Sequence, residues 1–397
     1  TTHSYHSIPF PVDKPTINSG VGSMAGARVA NGKGLMALVV AVLVMCGGRM
    51  SSASNLVPAV YVFGDSTVDV GMNGPLPLPY GIDLPQEYLP TGRVSNGYNV
   101  ADYISKLLGF KMSPPAYMSL TPETRHEILR GFGGVNYAST GCGILNTTRL
   151  GECFSMDEQV EFFAATKSKM TDEYNGGGGS IAISTLLSKS LFLISAGGND
   201  LFNYPLNPTL FPILYARLLE SYTKHVQTLY DLGARRFGII DVPPIGCLPV
   251  IRALFPTGRC VRVANGLALG FNNLLGERMA QLAADPKRPG MTYSMGSSYN
   301  LVTNFTADPE AAGFKNVTSA CCGTGRIEWG ALCLPGSTLC DDRADYLFWD
   351  LVHGTQATAK KGAAIIFSAP VEEGFAKPIN FQELVSSTPG FHGVSSS

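Results

Sequence analysis

The sequence predicts an α/β fold, a three-layer α/β/α sandwich around a mainly parallel central sheet. Short apolar runs rich in β-branched and aromatic residues occupy positions 57–63, 191–194 and 236–241, and such runs are typical of strands buried on both faces of a parallel sheet. Each run ends abruptly in glycine, serine, aspartate or proline residues. Amphipathic stretches separate the runs, and this alternation of strand and helix is the pattern of βαβ units.

The other elements follow from the same periodicities, taken in chain order. A Gly- and Pro-rich passage at 71–90 is too broken for regular structure. Asp69, Asn73 and Tyr80 in or beside it could rim a substrate cleft, with an ordinary surface loop as the alternative. A helix at 98–108 carries its apolar residues on one face and ends at Gly109. The run of glycines at 176–179 predicts a flexible surface loop. The remaining predicted elements are a strand at 135–138, helices at 156–165, 211–232 and 265–284, a strand at 291–295 and a helix at 355–367.

The chain reads as one domain with a leader. No repeat and no charged linker divides it, so we place the domain at residues 55–375 and a C-terminal tail at 376–397. Residues 24–54 have the layout of a secretory signal peptide, since Arg28 and Lys33 precede the apolar run 35–46 and small residues follow. That run is too short to span a bilayer comfortably, although a signal-anchor helix is the alternative. Residues 1–23 are expected to be non-native upstream sequence.

Composition and cysteine usage favour a secreted protein. Charged residues make up 15% of the chain, its net charge is −1 and its basic residues are dispersed, so no nucleic-acid partner is predicted. Cys46 lies in the leader, which leaves eight of the nine cysteines, and local disulfides in an oxidising compartment are expected. The eight are grouped as Cys142 with Cys153, Cys247 with Cys260, and Cys321, Cys322, Cys333 and Cys340 together.

The pairing within the last group of cysteines stays open at this point. A zinc site is disfavoured there, because Cys321 and Cys322 are adjacent and no histidine lies near them. Three sequons predict a glycoprotein on the same route, with the acceptors Asn146, Asn304 and Asn316.

Polar residues at three strand ends are the candidate functional residues. Ser66 follows the first strand in Gly-Asp-Ser, and Asn199 follows the strand at 191–194. Both positions belong to the crevice beyond the carboxyl ends of the strands, where open α/β sheets bind ligands. Ser66 is therefore the candidate nucleophile. After the strand at 135–138, Gly141 allows the backbone to approach a ligand with its N–H exposed.

His353 is the candidate base by elimination among six histidines. His225 lies mid-helix at a position expected to be exposed, and His126 lies in a polar stretch. Asp350 precedes His353 by three residues, a spacing that places both side chains on one face of a tight turn or helical start. A serine becomes a good nucleophile when an imidazole, oriented by a carboxylate, takes its proton.

Four blocks of this sequence resemble the plant-type branch of the GDSL esterase/lipase family, within the SGNH hydrolases. They are V-F-G-D-S-T-V-D-V-G at 62–71, N-Y-A-S-T-G-C-G at 136–143, A-G-G-N-D at 196–200 and F-W-D-L-V-H at 348–353. The blocks occur in the family's order and at comparable spacing. The likeness covers roughly residues 57–370.

The resemblance implies a fold, a site and an activity. The fold would be flavodoxin-like, with a Ser66, His353 and Asp350 triad. The oxyanion hole would combine the backbone N–H groups of Ser66 and Gly141 with the Asn199 side chain. The implied function is a secreted serine esterase or lipase, without metal or organic cofactor, that forms an acyl-enzyme from a small-molecule or lipid ester. A monomer outside the cell, in the apoplast or cell wall, is expected, without stable membrane insertion.

Three positions depart from the family pattern. Thr67 replaces the usual leucine, and we expect that position to pack behind the nucleophile. Thr140 replaces a common glycine and is expected to crowd the oxyanion site, while Gly354 replaces a common proline and is expected to loosen the backbone at His353. Two alternative functions stay open: acyl transfer to a lipid hydroxyl, and a non-catalytic lipid- or glycan-binding protein.

Overall fold

A six-stranded sheet lies at the centre of the protein. In this computed structural model the described residues are 55–131, 133–173, 179–255, 257–323 and 333–387. The predicted leader, the upstream segment and most of the glycine run lie outside them. The strands of the sheet are β1 (Ala59–Gly64), β2 (Gly133–Asn136), β3 (Leu191–Ser195), β4 (Arg236–Ile240), β5 (Thr292–Gly296) and β8 (Ala376–Lys377).

The strand order is β2-β1-β3-β4-β5-β8. The first five strands are parallel and β8 pairs antiparallel with β5. The order 2-1-3-4-5 of the parallel strands is that of flavodoxin-like folds, so the predicted fold class is confirmed. Two further strands, β6 (Asn316–Ala320) and β7 (Tyr346–Phe348), form a separate small parallel sheet.

Helices flank the sheet, and the described residues contain eleven of them. They are α1 (Val100–Leu107), α2 (Pro122–Leu129), α3 (Met156–Glu173), α4 (Gly179–Lys189), α5 (Gly198–Phe202), α6 (Phe211–Asp231), α7 (Pro249–Ala253), α8 (Arg262–Ala284), α9 (Ser298–Ala307), α10 (Gln356–Ser368) and α11 (Phe381–Ser386). None of these described helices is both long and apolar enough to cross a membrane. Side-chain caps fix several helix starts. Asn99 and Asp102 form a reciprocal capping box at α1, and Thr355 accepts from the backbone N–H of Thr358 at α10.

The structure differs from the sequence prediction at a few elements. β2 begins two residues before the predicted strand, because Gly133 and Gly134 continue the pairing with β1. A Cβ on Gly134 would lie 2.0 Å from the Val60 carbonyl oxygen, so only glycine fits this close approach. Helices α2 and α4 were not predicted, and α3 extends well beyond residue 165.

The fold continues beyond the predicted domain end at residue 375. Strand β8 extends the sheet at β5, and Phe381 and Leu384 of α11 are fully buried. Phe381 lies against β4, where a Cβ on Gly238 would be 3.1 Å from the Phe381 ring. Residues 376–387 therefore belong to the folded unit and not to a tail.

Four cysteine pairs lie at disulfide distance, which confirms the expectation of local bridges. Two are the pairs grouped by sequence, Cys142–Cys153 and Cys247–Cys260. The pairing left open is nested, with Cys321 bonded to Cys340 and Cys322 bonded to Cys333. These nested bridges pack with Trp349 directly after β7, so they support the segment that carries Asp350 and His353.

Candidate active site

The first strand ends in a sharp turn that presents Ser66. Gly64 has φ +131°, and a Cβ there would lie 1.8 Å from the Ser195 carbonyl oxygen, so no larger residue fits. Gln159 of α3 bridges the turn, accepting from the Gly64 N–H at 2.8 Å and donating to the Gly64 carbonyl at 2.9 Å. The turn therefore has fixed hydrogen bonds, and the Ser66 side chain comes from a backbone with little freedom.

The structure brings Ser66, His353 and Asp350 together. His353 Nε2 lies 2.8 Å from Ser66 Oγ, and His353 Nδ1 lies 2.9 Å from Asp350 Oδ2. The turn at 349–354, which we call the His353 turn, is held by hydrogen bonds to its own backbone N–H groups. Asp350 Oδ1 accepts from the N–H groups of Val352 at 2.8 Å and His353 at 2.7 Å. The spacing of three residues thus places both groups as the sequence predicts.

The charges of this pair are matched to proton transfer. Burial by itself lowers the pKa of His353, but the negative charge and hydrogen bond of Asp350, with the more distant charge of Asp65, outweigh it and raise the pKa above its ordinary value. Burial likewise favours a raised pKa at Asp350, yet His353 and two backbone N–H groups lower it. Asp350 is therefore an anion beside an imidazole that accepts protons readily.

Tyr80 reaches this pair from the loop at 71–90. Its hydroxyl donates to Asp350 Oδ2 at 3.1 Å. The sequence suggested a cleft rim for Tyr80, Asp69 and Asn73, and only Tyr80 contacts the Ser66, His353 and Asp350 group directly. Nothing in the local sequence pairs residues 80 and 350, so sequence reasoning missed this contact.

A second loop, residues 139–153, carries Gly141, and we call it the Gly141 loop. Gly141 has φ +91° and lines one cavity together with Ser66 and Asn199. The Asn199 amide donates to the Cys142 carbonyl at 2.8 Å, which ties the side chain to this loop. Since an amide nitrogen carries two hydrogens, one N–H remains for a ligand. The three residues to which the family resemblance assigns an oxyanion hole thus line one cavity.

Distant residues hold the Gly141 loop in place. Asp69 Oδ2 accepts from the Thr140 N–H at 2.8 Å and from its hydroxyl at 2.7 Å. Asp200 accepts from the N–H groups of Ile144 at 2.7 Å and Leu145 at 3.1 Å. Asp69 and Asn73 therefore act on this loop, since Asn73 also accepts from the Ser139 hydroxyl.

The three departures from the family pattern have different outcomes. The expectation for Thr67 is wrong, because its side chain is exposed and lines both cavities at Ser66. Its hydroxyl lies 2.7 Å from Asp65 Oδ1 and 2.8 Å from Ser195 Oγ, and these polar partners turn it away from the core. The Thr140 hydroxyl is bound to Asp69. The Gly354 carbonyl accepts from Ser95 at 3.0 Å, which anchors the backbone after His353.

The two other histidines within the described residues, His126 and His225, do not reach Ser66. The expectation that His225 is exposed is wrong. It is 3% exposed, and its Nε2 lies 2.8 Å from Asp157 Oδ1 of α3. The partner residue is 68 positions away in sequence, so local periodicity gave no signal. His126 is exposed beside Glu173.

The predicted glycan acceptors lie in different environments. Asn146 and Asn304 are exposed, the latter on α9. Asn316 in β6 is half-buried, and its amide oxygen accepts from the N–H groups of Thr318 and Ser319, each at 3.0 Å. Two of the three acceptors are thus openly accessible in this structure.

Two cavities meet at Ser66 and His353. One, the apolar cavity, has a volume of about 170 Å³ and lies among β7, α9 and α10. The other, the Asn199 cavity, has a volume of about 240 Å³ and is lined by Gly141, Arg149 and Asn199 among others. Within the described residues, no group of three or more histidine, cysteine, aspartate or glutamate side chains could hold a metal ion. The arrangement can therefore place the two halves of a substrate on either side of Ser66.

Comparisons with known proteins point to one family. The family model described as GDSL-like Lipase/Acylhydrolase matches residues 60–366. One GDSL esterase/lipase of Arabidopsis thaliana is 37% identical to this chain, over 86% of the chain and 91% of its own length. Two others from the same plant are 34% and 35% identical, over 88% and 78% of this chain and 94% and 88% of their own lengths.

Proposed function

The chain belongs to the GDSL-like lipase/acylhydrolase family and is a carboxylic ester hydrolase, and from this we propose that Ser66, His353 and Asp350 are its catalytic triad. The observation that carries the proposal is the contact of 2.8 Å between His353 Nε2 and Ser66 Oγ, with Asp350 Oδ2 at 2.9 Å from the other ring nitrogen. A carboxylate hydrogen-bonded to an imidazole that in turn contacts a serine is the arrangement that activates a serine hydroxyl.

The proposed reaction has two steps. Ser66 Oγ attacks the ester carbonyl carbon while His353 Nε2 takes the serine proton, and Asp350 stabilises the imidazolium that forms. His353 then gives this proton to the leaving alcohol, and the C–O bond to the alcohol breaks. In the second step a water molecule attacks the acyl-enzyme, His353 takes a proton from that water, and the proton returns to Ser66 as the acid leaves.

Three N–H donors are proposed for the oxyanion of each tetrahedral intermediate. They are the backbone N–H groups of Ser66 and Gly141 and the side chain of Asn199. The bond from Asn199 to the Cys142 carbonyl supports this assignment, since it fixes the amide before substrate binds. Donors fixed in advance stabilise developing charge without reorganisation cost.

We further propose that the enzyme is a glycoprotein of the secretory pathway that acts outside the cell as a monomer, in the apoplast or cell wall. The apolar run at 35–46, four disulfides and two exposed sequon asparagines support this route. The test is the N-terminal sequence of the protein secreted from plant cells, together with its mass before and after glycosidase treatment. A chain that begins before residue 35 contradicts cleavage of the leader.

The triad is tested with Ser66→Ala and a fluorophosphonate probe. Wild-type protein is expected to be labelled and to hydrolyse short p-nitrophenyl esters, whereas Ser66→Ala loses both. Ser188→Ala, which removes an exposed hydroxyl bound to the Thr185 carbonyl, is the matched control and keeps both. Full esterase activity in Ser66→Ala would contradict the assignment.

The same experiment separates the two alternative functions. Labelling without hydrolysis, and with transfer of the acyl group to an added hydroxylated lipid, identifies an acyltransferase. A folded wild-type protein that is neither labelled nor active identifies a binding protein.

A further inference from the structure

The apolar cavity begins at the proposed nucleophile and ends inside the protein. Two helices form its long walls, with Leu301, Val302 and Phe305 on α9 and Ala359, Gly362 and Ile366 on α10. Ala359, Gly362 and Ile366 recur at intervals of three and four, and Leu301 and Val302 precede Phe305 by four and three residues, so each set occupies one face. The stretch of α10 from Ala359 to Ile366 rises about 10 Å along its axis. The cavity is therefore elongated, with Ser66 and His353 at one end.

Four of the hydroxyl groups in its wall are already bound to backbone carbonyls. Thr355 and Thr358 donate to the carbonyls of Tyr346 and Leu347 in β7, at 2.7 and 2.6 Å. Ser95 donates to the Gly354 carbonyl at 3.0 Å, and Ser298 donates to the Asp241 carbonyl. With these protons engaged, the wall offers no free hydroxyl donor from these four residues. A hydrocarbon chain fits such a wall, whereas a polar group loses its water without compensation.

The sheet closes the far end of the cavity. Ile366 lies on Gly296 of β5, where even a Cβ would come within 2.4 Å of the isoleucine side chain. Ile366 is 1% exposed. A chain that enters at Ser66 therefore meets tightly packed side chain and backbone, and no exit is available past Ile366.

Gly362 lies on the wall between the entrance and this end. A Cβ at this position would be 3.4 Å from Leu301 Cδ1 on the facing helix, which is ordinary van der Waals contact. The glycine thus leaves space that any longer side chain would fill. The helix backbone does not require it, since no positive φ is recorded for Gly362.

We propose that the apolar cavity holds the linear acyl group of the ester and that Gly362 sets its length limit, at about six to eight carbons. This inference rests on the proposed function. The length limit is estimated from the cavity volume. The volume of about 170 Å³ is close to the roughly 150 Å³ of an apolar cavity that accommodates benzene. The alcohol portion then occupies the Asn199 cavity, on the other side of Ser66.

The test is a series of p-nitrophenyl esters from acetate to palmitate, with kcat/KM measured for each. For the wild type we expect kcat/KM to rise by up to about fourfold per added methylene, as each is buried. It should reach its maximum near hexanoate or octanoate and fall for laurate and palmitate. A maximum at palmitate overturns the proposal.

Gly362→Leu sharpens the test. This variant is expected to lose at least about 16-fold in kcat/KM for octanoate, equivalent to two buried methylenes at about fourfold each, and to keep acetate hydrolysis within about twofold. Ala364→Leu is the matched control, because residue 364 is exposed on the same helix, and it should leave the whole profile unchanged. An unaltered profile in Gly362→Leu overturns the proposal.

Two readouts keep the outcomes apart. Fluorophosphonate labelling at the wild-type rate shows that Gly362→Leu has an intact site. If that variant is not labelled, Gly362→Ala is tested in its place. In Gly362→Ala the ratio of octanoate to acetate hydrolysis is expected to fall by about threefold or more. An unchanged ratio contradicts the proposal. Absence of labelling and of hydrolysis of every ester in the wild type contradicts the proposed function itself. Normal acetate hydrolysis with a flat chain-length profile contradicts only the length limit.

Discussion

The His353 turn and the Gly141 loop flank Ser66, and different kinds of contact hold them in place. In the His353 turn, Asp350 accepts from two backbone N–H groups within three residues, and the Trp349 N–H donates to the His353 carbonyl at 2.7 Å. The Gly141 loop has its own Cys142–Cys153 disulfide and is also held by Asp69 and Asp200 from other segments. The turn places Asp350 and His353 mainly through bonds between near neighbours, whereas the Gly141 loop also needs carboxylates that only the folded chain brings to it.

The two regions also have different proposed tasks, because the His353 turn serves proton transfer and the Gly141 loop serves stabilisation of the oxyanion. The short-range bonds of the His353 turn are expected to keep Asp350 and His353 aligned when the Gly141 loop shifts. The oxyanion donors depend on the correct placement of three chain segments, so small distortions there are expected to reduce turnover without dismantling the triad. The four predictions below test that separation, starting with the largest expected effect.

Asp350→Asn should break the catalytic pair while sparing the turn. The asparagine oxygen can still accept from the N–H groups of Val352 and His353, but its NH₂ group would face His353 Nδ1 and favour the wrong tautomer. We expect kcat to fall by about 10³–10⁴-fold with the fold retained, measured by steady-state kinetics and circular dichroism. Tyr80→Phe, which removes only the hydroxyl on Asp350 Oδ2, should cost far less. Equal losses of kcat in the two variants would contradict the view that contacts within the turn, and not Tyr80, place Asp350.

Asn199→Ala removes one proposed oxyanion donor and leaves the triad intact. Turnover of a short ester should fall by about 10²–10³-fold, since one such donor contributes about 3 kcal/mol to the transition state. Fluorophosphonate labelling should persist at a reduced rate. Asn203→Ala is the control, because Asn203 lines the same cavity and its amide donates only to the Asn199 carbonyl. A loss of less than tenfold in Asn199→Ala would remove Asn199 from the oxyanion site.

Asp69→Asn tests whether the Gly141 loop is held from a distance. Asp69 accepts four hydrogen bonds, from the N–H groups of Gly71 and Met72 and from the N–H and hydroxyl of Thr140. The single amide oxygen of an asparagine can accept from only one of these two pairs of donors. Its NH₂ group would face the other pair and leave a buried donor unpaired. The free energy of unfolding should fall by about 1–3 kcal/mol, and turnover by about tenfold as Gly141 shifts.

Denaturant unfolding and kcat for a short ester measure both effects of Asp69→Asn. Asp308→Asn is its control, since Asp308 is exposed and accepts a single backbone bond from Ala311. Unchanged turnover in Asp69→Asn, despite lower stability, would show that the Gly141 loop tolerates displacement.

Asp65→Asn should change the pH profile more than the maximal rate. Burial raises the pKa of Asp65 to about 6, and its charge helps to raise the pKa of His353. His353 must be neutral to accept the serine proton, so activity appears as the pH rises through the His353 pKa. Because the variant removes a negative charge, that pKa falls and the acidic limb of kcat/KM moves to lower pH. A shift to higher pH would contradict this coupling.

The sequence predicts well those features that depend on neighbours in the chain. The buried parallel strands, Ser66 at the end of β1 and the spacing of Asp350 and His353 all belong to this class. The family resemblance added the roles of Gly141 and Asn199, which local pattern alone could only mark as exposed strand ends.

Features set by distant contacts escaped prediction. His225 is buried because Asp157 meets it from another helix, and Thr67 faces the cavities because Asp65 and Ser195 bind its hydroxyl. The hydrogen bond from Tyr80 to Asp350 joins positions 270 residues apart. Hydrophobic periodicity reports which face of an element is buried, but it carries no information about polar partners from elsewhere.

The last strand of the sheet has a consequence for biosynthesis. A ribosome makes residues 376–386 after all the other described strands, yet they supply the partner of β5 and the aromatic cover of β4. Arg236 of β4 also donates to the carbonyl of Ser387. During translation the β5 edge therefore stays open, and nascent chains expose an unpaired strand of the kind that invites association.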